Sequence, residues 1–241
     1  MRRFVRNNGL SLVLLAVFLA LLVGHSVAGY CEHNEGQTEH GKSPSTYGEY
    51  LVSGEFIESV FENWESEFLQ MGMFIILTVF LFQKGSPESK DPDKPEEDVD
   101  EDPRKHRGDP RAPRPVRRGG KWRLRLYSNS LSLAFLALFL LSFAGHALGG
   151  AKALNDDLRH HGKADRQVTA FGYMGTSRFW YESFQNWQSE FLAILAMVYL
   201  GVFLRQRGSP ESKPVHTPHW ENEPPEAEEA EPAEPAVTAG K

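Results

Sequence analysis

FENWESEFLQ, Phe61–Gln70, runs directly into an apolar stretch, MGMFIILTVFLF. Nearly the same ten residues return as FQNWQSEFLA, Phe184–Ala193, ahead of a second apolar stretch. Charge at the mouth of an apolar helix is costly, so its recurrence in the same place points to one structural unit used twice. The match extends outward on both sides. Asn8, Gly24, His25, Asn34 and His40-Gly41-Lys42 find counterparts in Asn129, Gly145, His146, Asn155 and His161-Gly162-Lys163. Two residues are inserted before Tyr173, the counterpart of Tyr50, and the register then holds to the paired stops GSPESK at Gly85 and Gly208. Internal repetition of this kind sets the architecture before any local reading.

Each unit reads as helix, outer loop, helix. Four apolar blocks, Leu10–Ala28, Phe68–Phe82, Leu131–Leu148 and Phe191–Leu204, carry most of the hydrophobic residues. The first and third are long enough for a bilayer core of about 30 Å, which takes roughly 20 helical residues; the second and fourth are shorter. The basic, then apolar, then small-residue start also fits a secretory signal. Its repetition in mid-chain, at Ser128–Gly150, favours an uncleaved membrane helix. Asn8 and Asn129 are expected N-caps of helices one and three, and Ser53 and Thr176 of helices two and four. Ala16, Ala20, Gly24 and Ala28 on helix one, and Ala137, Gly145 and Gly149 on helix three, form small-residue stripes that permit close helix packing. A second helix from Gly54 to Lys84 would be about 45 Å long, so its outer end should project or tilt. Gly85 and Gly208 are its natural stops and those of its partner.

Lysine and arginine in the short flanks give the orientation. Arg2, Arg3, Arg6, Lys84, the run Arg104–Arg125, Arg205 and Arg207 lie on one side, and the first outer loop holds only Lys42. The expected fold is therefore all-α: an integral membrane protein of four transmembrane helices, arranged as two tandem hairpins in a parallel internal repeat, with both termini cytoplasmic. The expected boundaries are 1–90 for the first hairpin and 91–121 for a charged disordered linker. The second hairpin takes 122–214, and an acidic Pro/Glu/Ala tail follows at 215–241.

Counting inward from the cytoplasmic edges places His25 and Glu67 at similar depth, about 22 and 24 Å along their helices. His146 and Glu190 match in the same way. Asn63 and Asn186 lie one turn above the acids on the same face. An intramembrane ionisable residue normally faces the interior with a partner, so the candidate polar sites are His25, Asn63 and Glu67, and His146, Asn186 and Glu190. Trp64 and Trp187 are expected interface anchors. Glu62 and Glu65 become Gln185 and Gln188 in the second copy, whereas Asn63, Trp64 and Glu67 have identical counterparts. Three readings stand: a polar clamp between helices, a proton or ion site built on histidine beside carboxylate, and a metal site or metal-dependent membrane enzyme that also draws on His33, His40, His160 and His161. No His-Glu-x-x-His pattern or closely spaced cysteine pair supports the last.

The 241 residues carry a net charge of −6, largely from the linker and tail, and a single cysteine, Cys31, which excludes an internal disulfide framework. No cofactor or nucleic acid is expected, and no catalytic motif points to an enzyme. The expected partner is the lipid bilayer. Two hairpins make a thin bundle, which fits a homo-oligomer, but no motif specifies one, and a small-molecule or ion ligand stays unassigned.

With its Asn-Gly-Leu-Ser-Leu opening, paired Asn-Trp-x-Ser-Glu-Phe-Leu motifs and paired Gly-Ser-Pro-Glu-Ser-Lys stops, the chain resembles an uncharacterised bacterial membrane-protein family catalogued only as a domain of unknown function. The resemblance covers residues 4–214. It implies a bacterial multi-pass membrane protein and supplies no activity. The reading is a membrane protein with a structural or partner-binding role, with proton or ion translocation through the His/Glu sites as the alternative.

Overall fold

The computed structural model describes residues 2–93 and 97–222, and every regular element among them is helical. The long helices are α1 (Arg2–Glu39), α3 (Gly54–Phe80), α7 (Ser130–His160) and α9 (Ser177–Phe203). Short helices α2 (Tyr47–Leu51) and α8 (Ala170–Met174) fill the links from α1 to α3 and from α7 to α9, and α4 (Glu97–Asp100), α5 (Arg114–Arg118) and α6 (Lys121–Ser128) lie between α3 and α7. The expected tail lies outside the described residues from 223 onward.

Among the described residues two helices, α1 and α7, are long and apolar enough to cross a membrane. Their apolar side chains are largely uncovered, Leu10, Leu21, Leu141 and Leu148 among them. A broad uncovered apolar surface is unusual for a helix of a soluble domain. α3 and α9 reach 27 residues each, about 40 Å, but their N-terminal halves carry acids and they do not meet the same requirement.

The expected caps divide into two kinds. Ser53 and Thr176 do cap: their hydroxyls accept from the backbone N–H of Phe56 (3.1 Å) and Phe179 (3.3 Å). Asn8 and Asn129 instead donate backward, to the carbonyls of Phe4 (2.9 Å) and Arg125 (2.8 Å). Each therefore closes a preceding basic helical segment, through a kink at Asn8 and a break at Asn129. α3 and α9 end at Phe80 and Phe203, earlier than the glycine stops. Gly85 and Gly208 take positive φ in the turn that follows, a conformation glycine adopts without steric cost. In both turns a serine hydroxyl caps the strand of chain leaving the helix: Gln83 N–H donates to Ser89 (2.8 Å) and Gln206 N–H to Ser212 (2.9 Å).

The chain divides into two compact units, Met1–Met71 with Leu133–Glu190, and Gly72–Ser132 with Phe191–Lys241. The first is centred on buried Ala147, Ala151, Tyr173 and Phe179, with Phe143, Leu154 and Val168 packed around them. Here the small residues of α7 have a clear use. A Cβ on Gly149 would strike the backbone of Glu58, and one on Gly145 would enter the Phe61 ring; Gly54 in turn abuts the α7 backbone at Lys152 and Ala153. α3 and α7 thus meet backbone to backbone. On α1 the stripe has no such role at Gly24, where a Cβ would meet open space.

In the second unit the segment after α9 folds onto the first GSPESK turn. The side-chain amide of Asn222 accepts from Gly85 N–H (2.8 Å) and donates to the carbonyls of Ser86 (3.1 Å) and Ser89 (2.6 Å). The buried Lys213 ammonium donates to the carbonyls of Pro218, His219 and Glu221.

Candidate functional site

Close approach of α3 to α7 brings a polar stripe into the interior of the first unit. Glu58, Glu62 and Glu65 follow one another at four and three residues, which places them on one helix face. They meet His146 of α7, Tyr173 of α8, and Arg178, Glu182, Asn186 and Trp187 of α9. His146 is fully buried, with its ring stacked on Phe179 at 4.6 Å between centroids. Its Nδ1 lies 2.8 Å from Glu65 Oε2 and its Nε2 3.4 Å from Glu182 Oε2. An imidazole that donates through both nitrogens is the cation. Trp187 donates its indole N–H to the second oxygen of Glu65 at 3.1 Å, and Asn186 donates to Glu62.

Tyr173 is the second centre. Its hydroxyl lies 2.6 Å from Glu58 Oε1 and 2.6 Å from Glu182 Oε2. Burial, followed by the bonds to Glu182 and Glu58, pushes this phenol above its ordinary range, so it stays protonated. Space for the ring against α7 exists because residue 150 is glycine; a Cβ there would overlap the ring. Arg178 closes the site, 2.7 Å from Glu182 Oε1 and 3.3 Å from both oxygens of Glu58. It is about half exposed, whereas Glu58 and Glu65 are buried, so the cluster opens to solvent at the guanidinium.

The charges do not balance. Four carboxylates face one guanidinium and one imidazole, which leaves two negative charges uncompensated even when His146 is charged. The hydrogen atoms do not balance either. A phenol has one proton to donate, yet two carboxylate oxygens stand at 2.6 Å from it. One of those contacts requires a further proton, held by Glu58 or Glu182, or a cation. As a metal centre, Glu58, His146 and Glu182 offer ligand atoms within 4.8 Å of one another. Two carboxylates and an imidazole suit a divalent ion, although Arg178 already occupies both acids.

The structure pairs the expected residues differently from the depth count. Glu67 and Asn63 are exposed, and the acid expected opposite His25 is replaced by Ser59, whose hydroxyl lies 3.0 Å from His25 Nε2. Glu190 is half-buried beside Glu67, and its backbone carbonyl accepts from Gln70 (2.9 Å); its counterpart in the cluster is Glu182, two turns nearer the outer end. The count assumed that paired helices enter at equal depth, and the observed partners sit eight residues, about 12 Å of helix, further out. Asn186 and His146 do reach the cluster, and Trp187 points its N–H into it. Trp64 packs on Phe61 and Phe18. His33 pairs with Glu55 at 2.7 Å, while His40 and His161 bond carbonyls one turn back, at Gly36 and Asp157.

A family model for a domain of unknown function, DUF6766, matches residues 1–224. The chain belongs to the DUF6766 family. No curated protein and no solved structure matches it. Glu58, Glu62, Glu65, Tyr173, Arg178 and Glu182 are the residues that depth counting missed. The signal was present in the stripe Glu58-Glu62-Glu65, an acidic face on a helix otherwise apolar on that side. It was present again in the copy difference, since the second copy has Tyr181, Gln185 and Gln188 there, all exposed.

Proposed function

We propose that this protein is a four-span membrane protein of the bacterial inner membrane, with both termini cytoplasmic, and that its buried cluster is a proton-binding site. Support for membrane insertion comes from two apolar helices with uncovered faces. The basic flanks add to it. So do the apolar inner halves of α3 and α9, Phe68–Phe82 and Phe191–Leu204, whose acids cluster at the outer ends. The parallel double-hairpin repeat draws support from matched bonds. Asn34 exchanges two backbone bonds with Ser45 as Asn155 does with Val168, and Tyr50 lies against Gly29 as Tyr173 does against Gly150.

The observation that carries the proton reading is the Tyr173 hydroxyl between two carboxylate oxygens at 2.6 Å. A clamp serving only to tie helices gains nothing from surplus negative charge in a poorly solvated site, where each uncompensated ion costs several kcal/mol. A site that takes up and releases a proton requires such a surplus. Glu58 and Glu182 share the proton across Tyr173, His146 holds the adjoining acid Glu65, and the half-exposed Arg178 lies at the route to solvent.

The experiment is proton flux into liposomes loaded with a pH-sensitive dye. Wild type should acidify the lumen under an inward proton gradient, and Glu58→Gln with Glu182→Gln should abolish this while circular dichroism stays unchanged. Equal flux in both would reject translocation. A second reading, a divalent metal centre, is favoured by the Glu58–His146–Glu182 geometry; elemental analysis giving near one metal per chain would establish it in place of the first.

A further inference from the structure

The second unit carries a basic cavity of its own. Val116 of α5 and Leu124 of α6 are buried, and these apolar anchors hold the two short helices. Between them Gly119 lets the chain fold back on the carbonyl of Pro115, where a Cβ would collide, and Gly119 N–H donates to that carbonyl at 2.9 Å. The tight turn gathers Arg114, Arg117, Arg118 and Arg123 around a cavity of about 500 Å³ with no acid among the described residues that line it. Among the described residues none of the four forms an ion pair, unlike Arg104 with Asp102 and Arg111 with Asp109 on the same linker. The Asp109 carboxyl is held low first by its bonds from Arg111, with the charge of Arg117 a smaller contribution. The Nε–H of Arg117 is buried and has no acceptor among the described residues.

We infer that this cavity binds the phosphate of an anionic phospholipid headgroup. Four guanidiniums without carboxylates form a phosphate-recognising set. The surroundings select a lipid as its source. Trp122, Leu126 and Tyr127 of α6 are exposed and alternate with Arg123 and Arg125, the mixture of aromatic and basic side chains that settles at a membrane interface. Only Asn129 separates α6 from α7, one of the two helices long and apolar enough to cross a membrane. A positive-inside signal accounts for basic residues here, but not for a folded cavity with an orphaned guanidinium donor. The inference rests on α7 lying in the bilayer.

The test is native mass spectrometry of the full chain in detergent with equimolar phosphatidylglycerol and phosphatidylcholine. Each interfacial arginine contributes about fivefold to anionic-lipid affinity. Wild type should retain phosphatidylglycerol preferentially, and R114Q/R117Q/R118Q/R123Q should lower that retention by at least about 100-fold. R104Q/R111Q, which removes two paired arginines, should keep it. Equal retention of both lipids by wild type, or an undiminished preference in the fourfold variant with unchanged circular dichroism, overturns the inference. Displacement of the lipid by an equal concentration of inorganic phosphate would overturn the lipid assignment and leave a free-phosphate site. Alkaline carbonate extraction separates the two failures: a chain released from membranes sinks the membrane reading, whereas an integral chain without lipid preference sinks only this one.

Discussion

Nε2 of His146 lies 3.4 Å from Glu182 Oε2, and Nε2 of His25 lies 3.0 Å from the Ser59 hydroxyl. One histidine thus faces a carboxylate and the other a hydroxyl. His146 is buried and bonded to two acids, and His25 is exposed.

This difference has an energetic consequence. His146→Ala leaves buried Glu65 without its cation and should cost about 3–5 kcal/mol. His25→Ala removes one exposed neutral bond and should cost about 1 kcal/mol or less. Unfolding midpoints in detergent, followed by tryptophan fluorescence, give the comparison, and equal losses would deny the asymmetry.

Backbone contact between α3 and α7 makes the two small-residue stripes unequal as well. Gly149→Ala drives a methyl group into the Glu58 backbone and should destabilise by about 1–3 kcal/mol, with loss of the cluster geometry. Gly24→Ala enters open space and should be neutral, or stabilising by up to about 1 kcal/mol through helix propensity. Thermal melts of the two variants decide this.

Much of the helical plan was legible because apolar blocks, cap residues and repeated motifs are local signals. Ser53, Thr176, Gly85 and Gly208 act at or near the expected helix ends. The cluster was harder to foresee, because its membership depends on the rotation and axial shift of packed helices. Glu67 looked equivalent to a buried acid by depth, yet Glu65, two residues away and on the opposite side of α3, is the one enclosed. Two turns of axial offset moved the partner of His146 from Glu190 to Glu182, which no count along a single helix reveals. Asn8 and Asn129 were misplaced for a different reason: an asparagine amide can donate backward as well as accept forward, and here the preceding basic segments are themselves helical.

Asn222 gives a third expectation. Its amide supplies the acceptor for the Gly85 N–H and two donors to the same turn. Asn222→Ala should raise hydrogen exchange of the Gly85 amide by about tenfold, the equivalent of one ordinary hydrogen bond. An unchanged rate would mean that the segment after α9 does not hold this turn.

Acid sensitivity should appear at α2, in the link between α1 and α3. Backbone and hydroxyl bonds from Thr46 hold the Glu49 carboxyl below its ordinary value of 4.5. A lowered carboxyl stabilises the fold above 4.5, and that contribution disappears as pH falls through the depressed folded value. Amides of α2 should therefore gain exchange only below the ordinary carboxylate range, and Glu49→Gln should remove this pH dependence.

The most direct measurement is the infrared spectrum of metal-free protein at neutral pH. A protonated-carboxyl stretch should be present in wild type and in Glu67→Gln with Glu190→Gln, and absent in Glu58→Gln with Glu182→Gln. A wild-type spectrum without any protonated carboxyl would contradict the shared proton at Tyr173, and with it the proposed function.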